Sequence, residues 1–180
     1  MLLTWIRSLV KQLKITRSPY RIIGFILSVA IACSAFAVAT HRIELPYTLG
    51  IQPANERCLD ANLLLFHYGK FPVKRGDWVM FRPFGALSYV REPYVVKIAS
   101  GVPGDHLVIK HSLVLVNDKL VAVGLDDAPI VQKNASQLER DEIIPADSYF
   151  VTATHPLSFD SRYWGYLKAD QVEGLAKRLF

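Results

Sequence analysis

Tyr94-Val95-Val96-Lys97-Ile98-Ala99-Ser100-Gly101-Val102-Pro103-Gly104-Asp105 is a short β-favouring run that carries one lysine among Val and Ile and halts at a Gly-Val-Pro-Gly turn. Branched residues suit a pleated, half-buried surface, and Gly and Pro punctuate it. Taken alone, Lys97 reads as an exposed strand lysine beside core residues Val95 and Ile98. Outward from this run the same texture recurs at 76–81, 107–110, 113–116, 120–123, 149–152 and 171–175. Each run is short and bounded by Gly, Pro, Asn or Asp, which predicts a mainly β domain. Asn117-Asp118 is placed to form a two-residue hairpin turn. Residues 135–142 are the one candidate for a helical turn or two in this part, and 126–133 reads as loop. No repeat or low-complexity tract interrupts the chain.

The N-terminal part differs in kind. From Ile22 to Thr40 there is no charged side chain. As a helix this stretch is about 28 Å long, close to the roughly 30 Å hydrocarbon core of a bilayer. Arg7, Lys11, Lys14, Arg17 and Arg21 precede it with no acidic residue, which predicts a single-pass anchor with a cytoplasmic N-terminus and everything after Thr40 outside the cytoplasm. Leu2, Trp5, Ile6, Leu9 and Leu13 alternate with Lys11 and Lys14 at helical spacing, so residues 1–21 read as a basic amphipathic segment on the inner leaflet. The alternative is a cleavable leader, because Ala35-Phe36-Ala37 and Ala37-Val38-Ala39 have small-x-small form; the length of the uncharged stretch and of its basic flank favours a retained anchor. Removing the five N-terminal cations from the 21 basic residues leaves 16 against 16 acidic ones. The exported part is formally neutral, and nucleic acid is excluded as a partner. The expected organisation is 1–21 cytoplasmic, 22–40 transmembrane and 41–180 one exported domain.

A second block, Ser158-Phe159-Asp160-Ser161-Arg162-Tyr163-Trp164-Gly165, joins the first, and Val73-Lys74-Arg75-Gly76-Asp77-Trp78-Val79-Met80-Phe81 stands upstream of both. Together these resemble the type I signal peptidases, peptidase family S26, membrane-anchored proteases that use a lysine as general base. The resemblance implies a bacterial inner-membrane protein with coiled antiparallel sheets behind one N-terminal transmembrane helix, 41–180 forming a periplasmic catalytic domain with a short variable insertion at about 105–145. That brevity resembles the conjugative-transfer branch, the TraF-type peptidases that mature pilin subunits. Under the resemblance, Lys97 is the proton acceptor, Ser158 holds that lysine, and Asp160 and Arg162 pair behind the site.

The nucleophile departs from the family. No serine occurs between Thr40 and Arg75, where it is due. The conjugative branch has Ser-x-Pro-x-Gly-Leu-Tyr at this point, and Cys58-Leu59-Asp60-Ala61-Asn62-Leu63-Leu64 aligns with it, so that Cys58 takes the serine position, Asp60 the proline and Asn62 the glycine. Asn62 can supply the left-handed backbone of that glycine. A thiol, with an ordinary pKa of about 8.5, is easier to deprotonate than an alcohol, so attack by sulfur is chemically open. Glu56 stands where many relatives have a hydroxyl that helps hold the oxyanion; Arg57 is placed to compensate its charge, and the Cys58 N–H is the remaining donor.

Cys33 lies within the anchor and cannot meet Cys58, which leaves Cys58 a single thiol. His67, His111 and His155 have no partners at metal-binding spacing, so no metal and no cofactor are expected. His155 replaces part of the stretch before Ser158 in relatives and is either a solvated loop imidazole or a neighbour of the thiol. The expected function is a membrane-bound endopeptidase removing leader peptides at small-x-small sites, with a precursor or pilin substrate and the lipid bilayer as partners. Leu63, Leu64, Leu65 and Phe66 are the candidates for a bilayer-facing surface. The alternative is a non-catalytic scaffold of the same fold that binds pilin or secretion components.

Overall fold

The computed structural model describes residues 19–41, 46–51 and 58–180. The amphipathic segment expected before Pro19, and the Glu56 and Arg57 positions, lie outside the described residues. The chain divides after Leu45 into an N-terminal unit and a β unit, Pro46–Phe180.

In the first unit, helix α1 (Pro19–His41) begins on a proline, whose missing N–H and fixed φ suit a first helical position. Its described side chains, 23–36, are all exposed, with Phe25, Ile31 and Phe36 about two-thirds or more open. Among the described residues no helix is long and apolar enough to cross a membrane.

The β unit holds two antiparallel sheets. The larger is built from β1 (Tyr47–Ile51), β2 (Leu63–Tyr68), β3 (Trp78–Phe81), β4 (Val95–Gly101), β9 (Ser148–Thr152), β10 (Leu167–Lys168) and β11 (Val172–Arg178), in the order β1-β2-β11-β3-β4-β9-β10. The smaller contains β5 (His106–Lys110), β6 (Leu113–Val116), β7 (Lys119–Val123) and β8 (Arg140–Ile143), in the order β7-β6-β5-β8. The smaller sheet thus occupies the segment between Asp105 and Pro145. A four-residue helix, α2 (Ser161–Trp164), lies between β9 and β10.

Strand alternation explains the core. In β5, Leu107 and Ile109 point inward while Lys110 is exposed; in β6, Val114 and Val116 do the same. They share one apolar cluster with Val79, Phe81, Ala99, Phe150 and Val151 of the larger sheet. Both sheets therefore close on one core.

The β5–β6–β7 meander turns twice on left-handed pairs. Asn117 and Asp118, at φ 48° and 62°, form the hairpin turn expected from sequence. His111 and Ser112, at φ 51° and 62°, form a second one, and the His111 N–H donates to Glu139 Oε1 at 2.8 Å. Asn62 is not among the left-handed residues, so it does not replace a glycine in that role. Gly101, at the bulge between β4 and β9, has a packing reason: a Cβ there would stand 2.4 Å from Ile144 Cδ1 and 3.3 Å from Phe150 Cβ.

Three expectations change. The 135–142 segment is a 3-10 turn at Ala135–Leu138 followed by edge strand β8; Arg140, Asp141 and Glu142 hid the strand because an edge carries charge toward solvent. The 126–133 loop contains a further 3-10 turn, Ala128–Val131. Leu63, Leu64, Leu65 and Phe66 do not form an exposed face: Leu64 is buried and the other three are half-buried. Open apolar side chains fall instead on β1, at Tyr47, Leu49 and Ile51.

Candidate active site

Strand β4 sets Lys97 opposite Val79 of β3, in the heart of the larger sheet, and only 3% of the lysine is exposed. Its Nζ donates to Ser158 Oγ at 2.6 Å. Ser158 is itself buried, and a turn closed by its own N–H on the His155 carbonyl (3.1 Å) presents it. The two blocks of sequence thus meet through these two side chains.

Behind them Asp160 caps α2, accepting the Arg162 N–H at 3.2 Å. The Arg162 guanidinium grips the same carboxylate by a fork, Nε to Oδ1 at 2.8 Å and Nη2 to Oδ2 at 2.9 Å. Its remaining N–H groups donate to four carbonyls: Ser158 (2.7 Å) and Pro156 (3.1 Å) from Nη2, Val123 (2.5 Å) and Gly124 (3.0 Å) from Nη1. Burial works against the charge of Arg162, but the hydrogen bond and negative charge of Asp160 outweigh it and raise the guanidinium pKa. A fully buried pair bonded in this way fixes the 158–162 loop.

The front of the site is a cleft of about 500 Å³ that both Lys97 and Cys58 line. Leu64 and Phe66 of β2, Val95 of β4, Leu87 and Phe159 supply apolar walls, and the β3–β4 connection contributes Tyr89, Arg91 and Glu92. Cys58 is half-buried. Its carbonyl accepts the His155 N–H at 3.1 Å and the Thr154 hydroxyl at 3.3 Å, while Thr154 Oγ1 also receives the Asp60 N–H at 2.9 Å. The loop leading to Ser158 therefore bonds the cysteine segment at Thr154 and His155 and the lysine at Ser158. The His155 ring accepts the Leu157 N–H through Nδ1 at 3.2 Å, so it is engaged with its own loop. Asp60, in the proline position, pairs with Arg178 at 3.0 Å.

Tyr89 was not legible as a cleft residue from sequence, since nothing in its loop distinguishes it. Its phenol pKa is raised by burial first and then by electrostatic interaction with Cys58 and Asp127, and its ring centroid lies 6.5 Å from that of Phe159. Among the described residues no group of three or more His, Cys, Asp or Glu could hold a metal ion.

Residues 22–180 match the family described as signal peptidase, peptidase S26. A signal peptidase I from Leptolyngbya laminosa is 24% identical over 159 residues, covering 86% of this chain and 74% of that one. A probable signal peptidase I-2 from Synechocystis sp. is 30% identical over 106 residues, covering 57% of this chain and 46% of that one. Among solved structures, a signal peptidase I from Enterococcus faecalis V583 is 24% identical, with a TM-score of 0.37, covering 59% of this chain and 98% of that one. The family match spans nearly the whole sequence on which the two blocks lie, and the family implies precursor proteins as substrates. The chain belongs to the signal peptidase family, peptidase S26, and by that membership is a signal peptidase I-like endopeptidase.

Proposed function

We propose that the protein is a membrane-bound leader peptidase in which Cys58 replaces the serine nucleophile and Lys97 is the base. The observation that carries this reading is the 2.6 Å bond from Lys97 to Ser158 in the wall of a cleft that Cys58 also lines. An inert scaffold has no use for a buried amine held by one hydroxyl, because burying that group costs free energy.

The steps balance within these residues. Lys97 Nζ takes the Cys58 thiol proton, and Sγ attacks the scissile carbonyl carbon at a small-x-small site. The Cys58 N–H donates to the resulting oxyanion. Collapse breaks the C–N bond, and the Lys97 ammonium returns the proton to the leaving amine. Water, deprotonated by Lys97, then attacks the thioester carbon and releases the leader acid, and Lys97 gives that proton back to the sulfur. Ser158 accepts a hydrogen bond from the amine and sets its direction throughout.

In this reading residues 22–40 are the anchor, the N-terminus is cytoplasmic and the β unit is periplasmic. The substrate is a pilin precursor of a conjugative system, with head-to-tail joining as a second outcome, since a thioester is captured readily by an amine. An alkylating reagent tests the assignment. Modification of Cys58 in the folded protein, loss of processing, and an inactive Cys58→Ala variant are expected. Full processing by Cys58→Ala would remove the cysteine from the chemistry. A parent protein that processes no precursor, with a Cys58 that resists alkylation until unfolding, would favour the scaffold.

A further inference from the structure

The Ser158–Arg162 segment is held from two directions by the smaller sheet. Arg162 reaches outward to the carbonyls of Val123, the last residue of β7, and of Gly124. In return Arg140, the first residue of β8, reaches inward: its Nη2 donates to the carbonyls of Ser161 (3.1 Å) and Arg162 (3.3 Å) in α2. The guanidinium of Arg140 lies over the Phe150 and Tyr166 rings, 6.0 and 5.8 Å from their centroids, and 3.8 Å from Glu142. Those neighbours set where its Nη2 can stand.

We propose that Arg140 is a positioning residue for the Lys97–Ser158 pair, acting through the backbone of α2. The inference rests on the reading of Lys97 as the base. The path is short. Arg140 fixes the carbonyl of Arg162, the Arg162 side chain fixes the carbonyl of Ser158, and the hydroxyl of Ser158 fixes Lys97 Nζ. A bond of 2.6 Å weakens steeply with displacement, so a small drift of α2 misaims the amine, while the cleft walls at Leu64, Phe66 and Val95 stand on β2 and β4 rather than on α2. Arg140 Nε is buried without a hydrogen-bond partner among the described residues. The guanidinium is therefore incompletely satisfied as a structural group, and its paired Nη2 is spent on α2.

The test uses the full chain in detergent and a synthetic precursor peptide carrying an Ala-x-Ala site. Arg140→Ala should lower kcat by about tenfold or more and leave KM within about twofold, the signature of a misplaced catalytic group in an intact binding cleft. Arg140→Lys should recover most of kcat, because one ammonium can donate to the same two carbonyls. Val116→Ala, in the core under the smaller sheet and on a strand that supplies none of the hydrogen bonds from Arg140 or Arg162, should be destabilised yet keep the parent kcat. If Arg140→Ala does not fold, Arg140→Met, which keeps an apolar stem against the two rings, takes its place. An unchanged kcat, or a raised KM at constant kcat, overturns the proposal when Lys97→Ala is inactive. If Lys97→Ala processes the peptide at the parent rate, the reading of the base falls, and this inference with it.

Discussion

Arg162 and Lys97 hold the two ends of one serine: the guanidinium donates to the Ser158 carbonyl at 2.7 Å, and the amine donates to its hydroxyl at 2.6 Å. Ser158 is thus fixed in position by one basic side chain and used as a stop by the other. This relationship separates changes that damage the fold from changes that damage the chemistry.

Arg162→Ala belongs to the first kind. It strands the Asp160 carboxylate in a site with no exposure, and breaking a buried pair on one side costs about 3–5 kcal/mol. Urea unfolding should show the loss as a lower midpoint with a similar slope. A midpoint equal to the parent's would mean that water reaches Asp160.

Lys97→Ala and Ser158→Ala belong to the second. Under the proposed role of Lys97 as the base, whose removal is worth about 10²–10⁴-fold in rate, Lys97→Ala should abolish measurable processing with a cooperative melt retained. Ser158→Ala keeps the amine but not its stop, and about a hundredfold loss is expected from misplacement alone. Steady-state cleavage of a precursor peptide, with circular dichroism alongside, checks both.

Acid stability should report on Asp105. Burial opposes its ionisation, but hydrogen bonds from Arg75, the Val102 N–H and Asn117 win and hold the carboxyl below the usual carboxylate range. A depressed folded pKa stabilises the protein fully above the unfolded value of about 3.9 and loses that contribution as pH falls through the folded value. Asp105→Asn should therefore be less stable than the parent at neutral pH, and the gap should close below about pH 4. A gap independent of pH would show that charge is not what Asp105 contributes.

Packing at the β4 bulge gives a further test. Gly101→Ala should destabilise by about 1–3 kcal/mol, as overpacked sites do. The new methyl meets the tip of Ile144, so Ile144→Val, which removes that Cδ1, should reduce the penalty in the double variant. Additive losses in the double-mutant cycle would place the clash elsewhere.

Much of this architecture was legible in the chain. The runs at 107–110 and 113–116 became β5 and β6 because they are short, rich in branched and aliphatic residues and bounded by turns, while the alternation that buries Leu107, Ile109, Val114 and Val116 shows only in the fold. The meeting of Lys97 with Ser158 followed from a resemblance; no periodicity could give it, since the two are 61 residues apart. What escaped did so for physical reasons. β8 is a charged edge strand without an apolar face, and β2 is apolar without alternation because its side chains are at least half-buried on both faces. The His111-Ser112 turn carries neither Gly nor Asn to announce its left-handed backbone. Arg140 was invisible as a site neighbour, since its meaning depends on where α2 lies.

The order β2-β11-β3 carries a consequence for how the protein comes into being. The last strand of the chain, β11, is inserted between two of the earliest, pairing Leu175 with His67 on one side and with Val79 on the other. Until that final segment arrives, β2 and β3 have no partner to join them, and the cleft wall formed by Leu64 and Phe66 has nothing to fix it relative to Lys97. Closing such distant pairs is entropically slow. A chain delivered N-terminus first therefore leaves β2 and β3 unjoined until β11 is available to stand between them.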